Sequence, residues 1–479
     1  MSTKTKTLSN LIWRYAERCG AQGIQFIVQI VLARLLTPSD YGLVGLITVF
    51  ITIAQVFAQS GLGQALVQRK NADNTDFSTV FYYSIAFSIV LYIILFFCAP
   101  FIADFYDAPQ LTAVVRVLGF VVVIGAVNSV QQAYVQKTMQ FKRFFLATLI
   151  GTLISAVVGI AMAYMGYGVW ALVGQQLSNQ IVNTIVLWFT VGWRPQRKFS
   201  FKSMKELFSY GWKLLCSSLL DTGYNNMYSL VIGKFYSSAD LGYYNRGKQF
   251  PMLIIQNINT AIDSVLFPVL SEAQNEKERL KAMTRRAIMT STFLIFPAMA
   301  GLAAVAKSLT IILLTDKWIP AVPFIQFCCF TYAFWPVHTA NLQAIKAIGR
   351  SDIFLKLEIL KKGIGIITLI VTLPFGLYVM MVGRCVSTIL NSFINAFPNR
   401  KLIGYSYSEQ IQDMLPSFLL SVVMCLIVLS VSMLNLNVWL TMIVQIIVGA
   451  GVYIAGAKLF KFECMEYILN TVKGFVKKK

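Results

Sequence analysis

Residues whose types could do chemistry stand where this chain is most apolar. Arg14, Arg18, Arg116, Lys213, Arg246 and Arg384 all fall in long apolar stretches, together with the acids Glu17, Asp221 and Asp263. At 3.6 residues per turn, Arg14, Arg18, Gln22, Gln25 and Gln29 lie within about 80° of one another, so a single helix carries one polar face. A charge near the centre of a bilayer costs at least ~2.5 kcal/mol on insertion scales. Twelve basic residues sit inside apolar spans against four clear acids, Glu17, Asp221, Asp263 and Glu358. Arg34, Lys234 and Lys307 can snorkel, and Lys361 and Lys362 can pair with Glu358. A surplus of cations is still left. Guanidinium and ammonium groups in excess at membrane depth suit a water-filled cavity that receives an anionic solute, and a phosphate or diphosphate matches the arginine fork. Arg14, Arg18, Arg246, Lys213, Arg384 and Arg116, with Gln22 and Gln25, are therefore the candidate substrate-binding residues.

Further polar stripes recur at helical spacing. One holds Lys213, Ser217, Asp221 and Tyr224, and a second holds Gln249, Gln256, Asn259 and Asp263. Others hold Gln176, Asn179, Gln180 and Asn183, and Arg384, Thr388, Asn391 and Asn395. The plain alternative for each amide is hydrogen bonding between packed helices. Catalytic patterns are missing from the sequence: it has no phosphate-binding glycine loop, no His/Glu metal spacing and no Ser/His/Asp candidate set. Its one histidine, His338, reads as a packed residue, and the eight cysteines lie mostly in apolar segments without ligand spacing. No cofactor or metal is expected, and every external connection is too short to hold a catalytic domain.

The elements that must position these groups follow from composition. The 479-residue chain is 57% hydrophobic and 13% charged, with a mean hydropathy of +0.66. Soluble domains carry about 25% charged residues, so an all-α integral membrane protein is expected. The start, MSTKTKTLSN, has no compact apolar core before a small-residue cleavage site, so no signal peptide is expected. Apolar windows between Gly, Pro, Asn and Asp punctuation predict fourteen spans, near 11–36, 41–66, 79–103, 111–135, 144–165, 168–193, 206–235, 241–270, 287–313, 320–345, 353–374, 376–397, 414–434 and 437–457. Connections alternate in charge. One set is rich in Lys and Arg, while the opposite set (TPSD, DFYDAP, MGYG, YSSAD, TDKWIP, LPFG, NLN) holds Lys317 alone. That asymmetry places both termini in the cytoplasm and accounts for most of the net charge of +21 without nucleic acid.

LARLLTPSDYG (32–42) returns 200 residues later as IGKFYSSADLG (232–242), LVGQQLS (172–178) as MVGRCVS (381–387), and QKTMQFKR (136–143) aligns with QAIKAIGR (343–350). Six helices thus repeat in parallel, as in transporters built from two bundles around a central site. The expected division is an N-terminal six-helix lobe (1–198), its repeat (199–400), and two extra helices with a basic tail (401–479).

The runs VLARLLTPSDYGLVGL, QSGLGQALVQRKNADNTDFSTVFY, YVQKTMQFKR, DSVLFPVLSEAQNEKERL, LLTDKWIPAVP and AIKAIGRSDIF resemble Wzx-type polysaccharide exporters. These belong to the multidrug/oligosaccharidyl-lipid/polysaccharide superfamily, and the resemblance covers most of residues 8–360. It implies a fold like that of the multidrug antiporters and lipid II flippases, and the last two helices resemble the fourteen-helix members, which include the lipid II flippase type and the colanic or teichuronic acid exporters. The implied activity is that of a flippase for undecaprenyl-diphosphate-linked oligosaccharide in the bacterial cytoplasmic membrane, working beside a polysaccharide polymerase and chain-length proteins. Its cationic cavity would open alternately inward and outward. In the related lipid II flippases, cavity arginines lie on helices 1 and 8, which here correspond to Arg14, Arg18 and Arg246. Lys213 and Arg384 stand on the physical argument alone. The family does not fix a coupling ion. For H⁺ or Na⁺ the acids at membrane depth are Glu17, Asp221 and Asp263. A multidrug antiporter on the same fold should carry cavity acids, and a polymerase or ligase should carry a large external loop.

Overall fold

The computed structural model of the chain describes residues 20, 22–59, 61–434 and 436–466. Arg14, Glu17 and Arg18 lie outside the described residues. The chain runs through α1 (Gln22–Leu35), α2 (Pro38–Gln59), α3 (Leu62–Gln68), α4 (Asn74–Phe105), α5 (Gln110–Leu118), α6 (Phe120–Thr138), α7 (Phe141–Tyr164), α8 (Val169–Thr190) and α9 (Phe201–Phe235). There follow α10 (Ser238–Glu272), α11 (Lys277–Leu314), α12 (Val322–Ala333), α13 (Trp335–Ala347), α14 (Ser351–Thr372), α15 (Leu377–Ala396), α16 (Asn399–Leu402), α17 (Tyr407–Val431) and α18 (Val438–Leu459). No strand occurs among the described residues.

Ten helical stretches among the described residues are long and apolar enough to cross a membrane. Their outer faces expose large apolar side chains, for example Ile443, Ile447 and Ile454 on α18 and Val90, Ile94 and Phe97 on α4. Such surfaces need lipid as solvent. The chain is a multi-pass membrane protein. Each of the other predicted spans coincides with a helix, but α8, α9 and α14 are diluted by the polar and charged residues they carry, and the described part of α1 is short.

Helix starts follow local chemistry. Thr37 caps α2: its Oγ1 accepts from the Asp40 amide at 3.3 Å, and Asp40 Oδ2 accepts from the Thr37 amide at 2.9 Å. Ser237 and Asp240 reproduce this capping box on α10, at 3.0 and 3.2 Å. Asp73 with Asp76, and Ser406 with Glu409, cap α4 and α17 in the same way. Span interiors break where sequence reading expects continuity. Gly61, at φ +66°, ends the run of α2 and starts α3, and a Cβ there would lie 2.6 Å from the Gly211 carbonyl oxygen. Only glycine meets both demands. Lys137 Nζ then donates to the Leu66 carbonyl at 3.1 Å and to that of Arg69, serving the open carbonyls at the end of α3.

Two compact units divide the chain, Met1–Asn245 and Arg246–Lys479. α9 packs on α2, α3 and α4 within the first unit. α17 and α18 pack on α11, and Tyr453 on α18 donates its hydroxyl to the Phe293 carbonyl at 2.8 Å. Unit 1 closes around Leu62, Leu66, Phe77, Phe81, Leu187 and Trp193, and a core patch of unit 2 gathers Phe293, Val305, Leu420, Met424 and Val428.

Candidate functional site

Arg246 lies two turns into α10 and is only 6% exposed. A Cβ on the next residue, Gly247, would lie 2.5 Å from the Phe324 Cβ, so α10 and α12 meet here at close range. That approach holds the guanidinium inside the protein. Its Nη1 donates to Gln249 Oε1 at 2.5 Å, and its carbon lies 5.9 Å from the ring of fully buried Trp318. A guanidinium keeps its charge in any such setting. Lys248 on α10 and Arg384 on α15 belong to the same unit. Chemically, the arrangement can receive the oxygens of an anion.

Farther along α10 the polar stripe turns toward α13. Thr339 Oγ1 donates to Asn259 Oδ1 at 2.8 Å, and Gln343 Nε2 donates to Asp263 Oδ1 at 2.5 Å. Asp263 is therefore an acid held between two helices. Asp221 is exposed on α9.

The remaining predicted residues are dispersed within unit 1. Arg116 donates from Nε to the Phe96 carbonyl at 3.3 Å, and its guanidinium lies 4.4 Å from the Phe96 ring, so it is engaged along α4. Lys213 is exposed on α9; on α1, Gln22 is half-buried and Gln25 exposed. Much of the α8 stripe serves packing. Asn179 donates to Ser155 on α7 and Asn183 accepts from Asn128 on α6, each at 3.1 Å. Lys234, read from sequence as a snorkelling residue, reaches the exposed Asp107 at 3.1 Å.

Sequence reasoning missed several partners. Trp318 sits in a short connecting motif and Gln343 at the end of a predicted span, neither with a periodic signal. Fully buried Asn341, Asn399 and Gln410 form a closed amide cluster across α13, α16 and α17, with Asn399 Nδ2 donating to Asn341 Oδ1 at 2.7 Å. A cavity of about 700 Å³ in unit 2 is lined by Lys277, Lys281, Arg285, Arg286, Arg400 and Lys401 among others. Two of these are matched by carboxylates, Lys281 by Glu409 at 2.8 Å and Arg285 by Asp413 at 2.6 Å. It gathers loops already accounted for by the positive-inside pattern.

Residues 31–323 match a family model described as "Polysaccharide biosynthesis protein". The chain is 22% identical over 353 residues to the succinoglycan biosynthesis transport protein ExoT of Rhizobium meliloti, covering 74% of this chain and 71% of that one. It is 23% identical over 437 residues to the lipopolysaccharide biosynthesis protein WzxC of Escherichia coli, covering 88% and 86%. Among solved structures, the lipid II flippase MurJ in an inward closed conformation superposes with a TM-score of 0.76 at 14% identity, over 94% of this chain and 98% of that chain. The two share a fold.

Proposed function

The chain belongs to the polysaccharide biosynthesis protein family, and from that premise we propose that it is a flippase for polyprenyl-diphosphate-linked oligosaccharide. The observation that carries the reading is the buried guanidinium of Arg246, with Lys248 and Arg384 in the same unit. A diphosphate needs fixed positive charge away from bulk water, where each charge-assisted hydrogen bond is strong. Arginine offers a planar fork for two phosphate oxygens. Trp318 and Gln249 orient that fork. Arg14 and Arg18 would add to this charge, Lys213 and Arg116 stand farther along the same reading, and the lipid tail would stay in the bilayer. In this proposal fourteen helices cross the bacterial cytoplasmic membrane with both termini inside. The loaded site then opens to one side and the other in turn, delivering repeat units to a polymerase.

Coupling to an H⁺ or Na⁺ gradient would pass through an acid, and Asp263 is the described candidate bound between helices. A multidrug antiporter on the same fold is the weaker reading, since a cationic drug calls for a surplus of carboxylates and the described surplus is basic.

The test is a strain whose surface polysaccharide depends on this chain. Arg246→Ala should abolish surface polysaccharide and leave lipid-linked oligosaccharide accumulating in the inner leaflet, with the protein still inserted. Arg246→Lys should restore only part of it. Full export by Arg246→Ala would overturn the assignment.

A further inference from the structure

The repeat that relates the two halves also shows where they differ. The offset is 200 residues for α2 and α10, and 207 for α6 and α13. By these offsets Gln59 and Gly63 correspond to Asn259 and Asp263, and Gln132 and Gln136 to Thr339 and Gln343. In unit 2 the four residues close into two hydrogen bonds, Thr339 to Asn259 and Gln343 to Asp263. In unit 1 the same four positions line a cavity of about 220 Å³. Gly63 has no carboxylate to offer Gln136, and a Cβ built on it meets nothing within 4 Å. Three of the four pairs differ in residue type, and the one that removes a carboxylate, Gly63 for Asp263, leaves open space where unit 2 has a bonded helix contact.

The lining indicates what the pocket takes. Gln59, Gln64, Gln132 and Gln136 contribute amides, and among the described residues no charged side chain lines it. Ser84, also in the lining, is 1% exposed, and its Oγ has no hydrogen-bond partner among the described residues. A buried hydroxyl in that state calls for a partner, which a water or a ligand hydroxyl can supply. An anion would call for a cation here, and a metal or amine for a carboxylate. Amides and hydroxyls, which both donate and accept, suit a neutral polyhydroxylated ligand. The volume is below the ~300–1,000 Å³ of pockets for drug-sized ligands, which suits a single sugar ring. Arg69, Lys70 and Lys137 cluster at the nearby ends of α3 and α6, and by the positive-inside pattern that end faces the cytoplasm, where substrate is loaded.

We infer that unit 1 holds a neutral carbohydrate subsite, built from Gln59, Gln64, Gln132, Gln136 and Ser84 over the gap left by Gly63, which binds a sugar of the lipid-linked oligosaccharide. The inference rests on the flippase reading. It is tested by native mass spectrometry of the purified full chain with two probes: undecaprenyl diphosphate, and the undecaprenyl-diphosphate-linked oligosaccharide fraction extracted from the producing cell. Wild type should hold the glycosylated lipid at least tenfold more tightly than the bare diphosphate. Gly63→Phe, which fills the gap on a helix of ordinary backbone, should remove that preference and leave bare-lipid binding unchanged, while Gly63→Ala behaves as wild type. Gln132→Leu, which keeps side-chain bulk, should act like Gly63→Phe and decides the matter where the phenylalanine variant fails to fold. Retained preference in the folded variants, or equal wild-type affinity for both probes, overturns the subsite. Wild type binding neither lipid overturns the flippase reading itself, a result distinct from a loss confined to the glycosylated probe.

Discussion

Gly42 and Gly242 face each other reciprocally. A Cβ on Gly42 would lie 1.7 Å from the Ser238 carbonyl oxygen, and one on Gly242 would lie 2.0 Å from that of Pro38. The first turns of α2 and α10 therefore touch backbone to backbone inside unit 1. Neither glycine has a left-handed φ, so what they provide is space and not conformational freedom. Small residues at helix crossings do this throughout membrane proteins.

Gly42→Ala and Gly242→Ala should each destabilise the detergent-solubilised chain, by about 1–3 kcal/mol or more, because the clash is with backbone that cannot rotate away. Gly63→Ala, with open space around its Cβ, serves as the control. Thermal unfolding followed by tryptophan fluorescence reads the difference. Midpoints equal to the control would mean that the two helices cross farther apart than described.

Trp318→Phe keeps a ring beneath Arg246 but a poorer cation–π partner, a contact worth ~0.5–2 kcal/mol depending on desolvation. Affinity for undecaprenyl diphosphate should fall about threefold, with the thermal midpoint little changed. Unaltered affinity would remove Trp318 from the positioning of the guanidinium.

Asp263→Asn keeps an oxygen for the Gln343 amide and removes the titratable charge. Flipping in proteoliposomes should lose its response to an imposed H⁺ or Na⁺ gradient while undecaprenyl diphosphate binding persists. A variant that still responds to the gradient assigns coupling elsewhere.

Tyr405 lies between α16 and α17 and donates to Asp413 Oδ2 at 2.7 Å, beside the Arg285 pair. Burial, and then the bond to Asp413, holds its phenol above the ordinary value of 10.0. The folded state favours the neutral form. This stabilisation is complete below pH 10 and is lost as pH rises through the higher folded value. Tyr405→Phe should be less stable at pH 7 by roughly 1.5–3 kcal/mol, the range for a hydrogen bond to a charged group. The gap to wild type should narrow above pH 10. Midpoints measured between pH 7 and pH 11 check the sign, and a constant gap would contradict it.

Helix positions were legible because apolar length and capping chemistry act within a few residues. Thr37 with Asp40, and Ser237 with Asp240, sit three apart and announce their helices. Breaks inside spans were less legible: Gly61 resembles any other glycine until α9 is placed against it. The uses of polar residues were hardest, since their partners are far away in sequence. Gln343 and Asp263 are 80 residues apart and Lys234 and Asp107 are 127 apart, distances over which no periodicity carries information. Amide stripes on α8 and α10 look alike in sequence, yet α8 spends much of its stripe on α6 and α7. The buried cation Arg246 was legible as a candidate, but its neighbour Trp318 was not.

The two matching caps have a consequence for how the chain is made. Each closes over four consecutive residues, so α2 and α10 can begin as soon as each segment is synthesised, without waiting for distant contacts. Gly42 and Gly242 meet only after the intervening 200 residues have emerged. Until then α2 presents a bare backbone notch to the translocation machinery. A nascent chain stalled before residue 238 would keep that notch open, and its closure marks the arrival of the second repeat.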